Sequence, residues 1–294
     1  MKAETREERQ GDLATLYNGT IIQEKSEVYH GKSGGKAGKN LSSHLLTAFL
    51  KSARMYQKMI SGEIEREDSK AFQDGRAAHC IVGEGWEEFN EQFTCKSPIN
   101  EKTGKPYGPL TKVFQEWVES QDKEVLTEGQ WKLALKLGEA VARHPFVAQN
   151  KLFDRTNGVA EGVVRATMEG LPCQIRMDFL NYKLPFLVEF KTCGNLTYFE
   201  QDAKRFRYPN QMAFYRSVFE AATGDRLPVI LVGVEKVEPY RVGAWSSKLP
   251  GGEETLNLAE EENVRAMNQI KGFASSLGGD PWPTGYEELR SLSF

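Results

Sequence analysis

The stretch FLVEFKTC, residues 186–193, decides the fold because it reads as a buried strand with a carboxylate and an ammonium group in its middle. Side chains alternate between the two faces of a strand, so Glu189 and Lys191 share one face while Val188 and Phe190 share the other. The rise of about 3.3 Å per residue separates the two charged side chains by roughly 6 to 7 Å at their roots. They form either an ordinary ion pair at a solvated edge or two groups that converge on one ligand.

A second carboxylate lies close to this pair in the sequence. Asp178 stands near the end of the preceding β-rich run, residues 171–180, and a short hairpin would bring it beside Glu189. Two adjacent carboxylates repel each other unless a cation neutralises them, and a site rich in oxygen and poor in sulfur suits Mg²⁺ or Mn²⁺. Lys191 would then hold or help to deprotonate an attacking water and offset charge on a phosphoryl transition state.

The surrounding pattern predicts an α/β (α+β layered) fold, with a central mixed sheet flanked by helices and a helical N-terminal part. We expect strands in residues 158–167, 171–180, 185–192, 228–235 and 241–248. We expect helices in residues 42–60, 69–83, 111–121, 127–144, 196–206, 210–224 and 257–277, and a loop in residues 93–110.

The domain organisation follows from the same pattern. Residues 1–40 end in a run rich in Gly and Lys and are predicted to form an irregular or mobile arm. Residues 41–294 are predicted to form one domain, mostly helical over residues 41–150 and containing the sheet over residues 151–294.

Composition narrows the class of protein. The 294-residue chain has a net charge of −3 and no apolar run of about 18 residues that would span a membrane. Its charged N-terminus, MKAETREERQGD, lacks the apolar core of a signal peptide, so we expect a cytoplasmic protein. The four cysteines include no C-x-x-C pair, which argues against a zinc ribbon, an iron–sulfur cluster and a disulfide framework. The acidic balance lowers the expectation of nucleic-acid binding without excluding a local basic groove.

The spacing of Asp178, ten residues, and then Glu189, Phe190 and Lys191 resembles the D…(D/E)-x-K core of the PD-(D/E)XK nuclease superfamily. Gln211 and Tyr215, which share one helix face, fit the Q-x-x-x-Y element of its RecB-like branch. The proline that the superfamily often carries before the aspartate is replaced by methionine in this chain.

Two further sequence elements make the resemblance specific to one branch of the superfamily. Gly75 and His79 fit the upstream G-x-x-x-H element of the same branch, in which the histidine is a metal ligand. Residues 232–245 and the ending DPWPTGYEELRSLSF look like the RecE-type exonuclease domain, exonuclease VIII, of phages and prophages. The resemblance covers residues 28–294.

The resemblance implies a Mg²⁺-dependent exonuclease that resects linear duplex DNA from 5′ to 3′ and leaves 3′ single-stranded tails. It implies about two ions per site, with Mn²⁺ able to replace Mg²⁺, and a RecT-like single-strand annealing partner. It also implies a homo-oligomeric ring, a trimer or a tetramer, no membrane partner, and a phage or prophage origin with action in the bacterial cytoplasm.

The resemblance also implies a role for each site residue. The implied metal ligands are His79, Asp178, Glu189 and the Phe190 backbone carbonyl, and Glu161 on the first strand is a candidate second-metal or water-positioning carboxylate. Lys191 would orient and activate the water. Gln211 and Tyr215 would position either the DNA backbone or Lys191.

Several basic residues near these elements are candidate DNA contacts. They are Lys204, Arg205 and Arg207 before the Gln/Tyr helix, and Arg165 and Arg176 on the strands beside Asp178. Ordinary solvated surface charges are the alternative for each of them. The lysine-rich loop of residues 95–112 is a candidate contact for a DNA end, or else a mobile surface loop.

Other functions remain open at this point. A structure-selective or single-strand endonuclease of the same superfamily is one, although its CRISPR-adaptation members carry a cysteine-held cluster that this chain lacks. A non-catalytic module that binds DNA ends would have lost a carboxylate or the lysine, and both are present. A metabolic α/β enzyme finds no support, because the sequence has no G-x-G-x-x-G, P-loop or serine nucleophile motif.

Overall fold

The computed structural model describes residues 17, 19–24, 26–29, 40–64 and 69–288, and its centre is a five-stranded mixed sheet. The strands are β1 (Phe93–Thr94), β2 (Ile99–Asn100), β3 (Lys105–Pro106), β4 (Glu124–Val125), β5 (Gly158–Met168), β6 (Leu171–Asn181), β7 (Phe186–Cys193), β8 (Val229–Glu235) and β9 (Val242–Ser246). The central sheet has the order β5-β6-β7-β8-β9, with β7 and β8 parallel and the other neighbours antiparallel. This confirms the predicted mixed sheet.

Helices cover both faces of this sheet. They are α1 (Ser26–Tyr29), α2 (Ser43–Lys51), α3 (Ala53–Ile60), α4 (Lys70–His79), α5 (Gly85–Gln92), α6 (Lys112–Glu119), α7 (Glu128–Arg143), α8 (Pro145–Asn150), α9 (Phe199–Arg205), α10 (Tyr208–Thr223) and α11 (Gly252–Ser276). On one face α2, α3, α10 and α11 pack around Met177 and Leu187, and on the other α4, α7 and α8 pack around Phe179 and Val188. The layered α/β class is therefore confirmed.

The turns follow the local chemistry of the sequence. Glu169 and Gly170 both have positive φ, 50° and 76°, which is the geometry of a two-residue hairpin turn between β5 and β6. Because β7 and β8 are parallel, they need a crossover, and α9 and α10 supply it. All seven residues of β8 are buried, as its continuous apolar run predicts.

Three segments differ from the predicted elements. The helix predicted over residues 42–60 is broken at Ser52, whose backbone is extended and whose hydroxyl caps α3. The helix predicted over residues 69–83 changes to a π-helical turn, Cys80–Glu84, directly after His79. The predicted loop of residues 93–110 contains β1 and a small hairpin, β2–β3.

Most of the predicted arm, residues 1–40, lies outside the described residues. Its described parts contact the rest of the chain: Ile22 forms a bridge with Val163 on the outer edge of β5, and the Tyr17 hydroxyl donates to Asp225, in the loop between α10 and β8, at 2.6 Å. The division into an arm and one domain stays a prediction.

Two further sequence expectations bear on the whole chain. No disulfide forms among the four cysteines; Cys80, Cys173 and Cys193 are buried, and Cys95 is exposed. Among the described helices, none has both the length and the apolar character that crossing a membrane requires.

Candidate active site

A gap between β6 and β7 lies at the centre of the site. Their backbone ladder ends at the pair Phe179 and Val188, and the same register extended by one residue places Asp178 opposite Glu189. In place of a backbone bond, the Phe190 N–H donates to Asp178 Oδ2 at 2.7 Å. The Asp178 carboxylate thus takes the role of a strand partner and is held in the gap.

Glu161 reaches the same gap from the neighbouring strand. The β5–β6 ladder pairs Ala160 with Phe179 and Gly162 with Met177 but skips Glu161, which has a φ of 54°. A left-handed backbone is strained for a residue with a side chain and often marks a functional position. The register places Glu161 directly opposite Asp178, so a third carboxylate faces the gap.

His79 approaches from the helical layer. It is the last residue of α4, and its Nδ1 lies 3.4 Å from Asp178 Oδ1. Its ring meets the Phe190 ring edge-on, with 5.0 Å between centroids. One ligand atom each from His79, Glu161 and Asp178 all lie within 4.8 Å of one another. His79, which directly precedes the π-helical turn, is therefore held against two carboxylates.

The two carboxylate oxygens of Glu189 differ in their hydrogen bonding. Its Oε1 accepts hydrogen bonds from the Lys191 ammonium and from Gln211 Nε2, the latter at 2.6 Å. Its Oε2 is buried and has no hydrogen-bond partner within the part of the chain that the structure describes. Because a buried carboxylate oxygen without a partner is costly, this atom is available to a cation.

Burial and neighbouring charges shift the pKa values of the carboxyl groups in the gap. Burial raises the pKa of Glu189 to about 7, and the charge of Asp178 adds to this shift. Burial likewise raises the pKa of Glu161 to about 7, against the opposing effect of Arg176. Burial would also raise the pKa of Asp178, but its contacts with His79 and the nearby Lys191 lower it below its ordinary value. Glu161 and Glu189 therefore hold a proton more tightly than exposed glutamates do.

These residues fit a divalent metal ion. One imidazole nitrogen, several carboxylate oxygens and an unpartnered buried oxygen form the donor set that hard cations such as Mg²⁺ and Mn²⁺ prefer. Both backbone polar groups of a strand residue point to the same side, so the Phe190 carbonyl opens toward β6, as its N–H does. Glu161, predicted only as an additional carboxylate, lies within the cluster, and Glu189 lies beside it.

Lys191 is held as a cation. Burial alone would lower its pKa, but the carboxylates of Glu189 and Asp178 outweigh burial and raise the pKa above its ordinary value. Its ammonium group therefore donates hydrogen bonds and does not accept a proton. A lysine held as a cation is suited to the predicted orienting role, and its predicted part in activating the water stays a prediction.

Gln211 and Tyr215 lie on α10, one turn apart, as their spacing predicts. Gln211 Nε2 donates to Glu189 and, at 3.2 Å, to the hydroxyl of Tyr215, which is buried. In the structure Gln211 thus contacts Glu189, and Tyr215 contacts Gln211, because α10 packs directly over the β7 face that carries Glu189. Their predicted role in positioning the DNA backbone or Lys191 stays a prediction.

The two strand arginines predicted as DNA contacts are already engaged within the protein. Arg176 Nε lies 2.5 Å from Glu161 Oε2, inside the gap. Arg165 forms an ion pair with Glu24 on the described part of the N-terminal segment. Arg176 is thus part of the site itself, and Arg165 faces the edge of the sheet.

The three basic residues after β7 do not form one patch. Arg207 has a φ of 60°, turns the chain between α9 and α10, and pairs with Glu262 of α11 at 2.8 Å. Arg205 pairs with Asp202 at 3.0 Å, and Lys204 and Arg205 are exposed. The turn at Arg207 separates its side chain from the other two.

Sequence reasoning misses Tyr208, which borders the site. Its ring centroid lies 5.3 Å from Lys191 Nζ. A Tyr-Pro pair at the start of a helix is an ordinary helix-start signal, so nothing in the local sequence marks this contact.

Comparisons with known proteins agree with this geometry. The family model described as PDDEXK-like domain of unknown function, DUF3799, matches residues 42–275. The chain belongs to this family. The PDDEXK-like match confirms the predicted PD-(D/E)XK superfamily, while the RecE-type branch stays a prediction.

A solved structure has the same fold as this PDDEXK-like chain. It is the crystal structure of a candidate exonuclease from Eubacterium rectale, with a TM-score of 0.58 and 16% sequence identity. The match covers 93% of this chain and 96% of that one. At this identity the likeness shows the fold alone. No curated protein matches the chain.

Proposed function

We propose that the protein is a divalent-metal-dependent deoxyribonuclease of the RecE type, which digests one strand of linear duplex DNA from its 5′ end. The observation that carries this proposal is the convergence of His79, Glu161, Asp178 and Glu189 with Lys191 at the gap between β6 and β7. This set contains every group that hydrolysis of a phosphodiester by a metal-activated water requires.

The residues divide the work in this mechanism. His79, Glu161, Asp178 and the Oε2 atom of Glu189 would hold the metal. When bound, the metal supplies a Lewis acid that lowers the pKa of a coordinated water and stabilises charge on the phosphate oxygens. The Lys191 ammonium donates a hydrogen bond that orients the water or a phosphate oxygen.

The product and the partners belong to the same proposal. Digestion from the 5′ end leaves a 3′ single-stranded tail, which a RecT-like annealing protein would take up inside the bacterial host of a phage or prophage. A homo-oligomeric ring, a trimer or a tetramer, would keep a chain of net charge −3 on its substrate, because enclosure replaces part of the electrostatic attraction to DNA. Mg²⁺ is the proposed ion, with Mn²⁺ as a substitute.

Digestion of end-labelled DNA tests this function. A linear duplex labelled at either the 5′ or the 3′ end is incubated with Mg²⁺ or EDTA, using wild type, Lys191→Ala and the control Lys132→Ala. Lys132 is exposed on α7, and its ion pair among the described residues is with Glu128 of the same helix. We expect early, Mg²⁺-dependent loss of the 5′ label in wild type and in Lys132→Ala, and no loss in Lys191→Ala.

Other outcomes would replace this function. Early loss of the 3′ label would reverse the polarity, and equal cutting of closed circles would indicate an endonuclease. DNA binding without digestion under Mg²⁺ or Mn²⁺ would indicate a module that only binds DNA ends.

A further inference from the structure

An aromatic pair leads from Lys191 to the protein surface. The Lys191 ammonium lies 5.3 Å from the centroid of the Tyr208 ring. The Tyr208 ring stacks on the Phe206 ring, with 5.9 Å between centroids and 29° between planes. Phe206 is 43% exposed. The rings of Tyr208 and Phe206 therefore form a continuous aromatic surface that extends from Lys191 to the solvent.

The backbone holds these rings in fixed positions. Phe206 ends α9, Arg207 turns the chain with a φ of 60°, and Tyr208 begins α10. The ion pair of Arg207 with Glu262 ties this turn to α11. Tyr208 also contacts the buried Phe199, at 6.2 Å between ring centroids. The two stacked rings therefore lose little freedom when a ligand binds.

The charges around the exposed ring favour an anionic ligand that has a flat apolar part. The Arg205 guanidinium lies 4.4 Å from the Phe206 centroid, and Lys204 is exposed beside it. Asp202, the ion-pair partner of Arg205, is the opposing charge at 3.0 Å. Aromatic rings interleaved with basic groups are the combination with which proteins bind single-stranded nucleic acid.

We propose that Tyr208, Phe206 and Arg205 form a subsite for unpaired nucleotides of a DNA strand next to the active site. Bases within a duplex cover one another, whereas an unpaired base offers a free face to an aromatic ring. Because the stack begins at Lys191, the nucleotides that it holds belong to the strand that enters or leaves the gap. The proposal of this subsite rests on the proposed function. It adds that the enzyme binds part of its DNA substrate as a single strand.

A fluorescent base tests the subsite without relying on digestion. The probe is a duplex with a short single-stranded tail that carries 2-aminopurine, with phosphorothioate linkages and Ca²⁺ to keep it intact. The full-length proteins are wild type, Phe206→Ala, Phe206→Trp and the control Tyr198→Ala. Tyr198 is a 55% exposed tyrosine one helix away, outside the stack. The blunt form of the same duplex serves as the comparison DNA.

We expect wild type to bind the tailed probe more tightly than the blunt one and to change the 2-aminopurine fluorescence. Phe206→Ala should weaken binding of the tailed probe by about tenfold, the effect of one lost base–aromatic stack. Phe206→Trp and Tyr198→Ala should bind as wild type does.

Two results distinguish failure of the proposed subsite from failure of the proposed nuclease function. Unchanged affinity of Phe206→Ala for the tailed probe overturns the subsite, even if wild type digests linear DNA. If wild type digests no DNA with either metal but binds the tailed probe more tightly than the blunt one, and Phe206→Ala loses this preference, the proposed function fails while the subsite stands.

Discussion

At the scale of single residues, the ion pair between Arg176 and Glu161 affects how readily Glu161 can bind an added cation. Three carboxyl groups, of Glu161, Asp178 and Glu189, face the basic side chains of Arg176 and Lys191 and the imidazole of His79. A metal ion that binds Glu161 would therefore have to compete with Arg176. This gives the arginine a different role from the DNA contact that its strand position suggests.

Replacing Arg176 should strengthen metal binding. We expect Arg176→Gln to raise the affinity for Mn²⁺ by about tenfold, which equals about 1.4 kcal/mol, because Glu161 is freed for the ion. Isothermal titration calorimetry of the DNA-free protein measures this affinity. Arg165→Gln is the matched control, since Arg165 lies on the adjacent strand and pairs with Glu24. Equal affinities in wild type and Arg176→Gln would contradict the competition.

Gln211 acts on the metal site through Glu189. We expect Gln211→Ala to lower Mn²⁺ affinity or kcat by about 10- to 100-fold, as the loss of a partner behind a metal ligand does. The melting temperature should stay close to that of wild type. Gln201→Ala, an exposed glutamine on α9, should change neither quantity. A kcat and an affinity that both match wild type would show that Gln211 does not orient Glu189.

The residue types of the site are visible in the sequence, but their partners are not. The spacing of Asp178, Glu189 and Lys191 predicts their approach, because antiparallel register is local. The contacts of Arg176 with Glu161 and of Gln211 with Glu189 depend on where the strands separate and on how α10 packs. These are properties of the tertiary structure, which no short-range pattern encodes.

At the scale of elements, the strands are easier to predict than the helix ends. The β-rich composition of β5, β6 and β7 and the capping box at Thr127 are local signals, and both predict the observed boundaries closely. Ser52 interrupts a continuous apolar pattern, and serine is common within helices as well as at caps. The π-helical turn after His79 is missed because an α-helical pattern runs through it.

The pairing of α10 with α11 depends on a buried arginine. Arg216 is 1% exposed and bonds to Glu253, Asn257 and Glu260 of α11. We expect Arg216→Ala to lower the free energy of unfolding by about 3 kcal/mol, because it removes a buried side chain and its bonds to three residues of α11. Urea denaturation measures the loss.

A neighbouring arginine provides the control for this prediction. Arg226 pairs with the same Glu260 but is largely solvent-accessible. Arg226→Ala should therefore cost less than about 1 kcal/mol. Similar losses for both arginines would show that burial of Arg216 does not determine the strength of the α10–α11 contact.

At the scale of the whole molecule, the crowded carboxylates make stability depend on pH. The pKa of Glu189 rises from 4.5 to about 7 on folding, so the folded state holds its proton more tightly than the unfolded state. The contribution of Glu189 to the stability of the metal-free protein is therefore lost as pH rises from about 4.5 through 7. Metal binding requires the deprotonated carboxylates and should strengthen over the same range.

A neutral substitution isolates this effect from all other titrating groups. In EDTA, Glu189→Gln should be more stable than wild type at pH 8, by up to about 3 kcal/mol, and equally stable at pH 4. Thermal unfolding of both proteins across this range measures the difference. A constant difference at every pH would mean that Glu189 titrates normally in the folded protein.

The distribution of cysteines has a practical consequence. Burial raises the pKa of the thiols of Cys80, Cys173 and Cys193, so these three are slow to form the reactive thiolate. Cys95 alone is exposed, in the segment between β1 and β2. A maleimide dye should therefore attach at one natural position without mutagenesis. The protein therefore offers a built-in attachment point for a fluorescent label in single-molecule measurements.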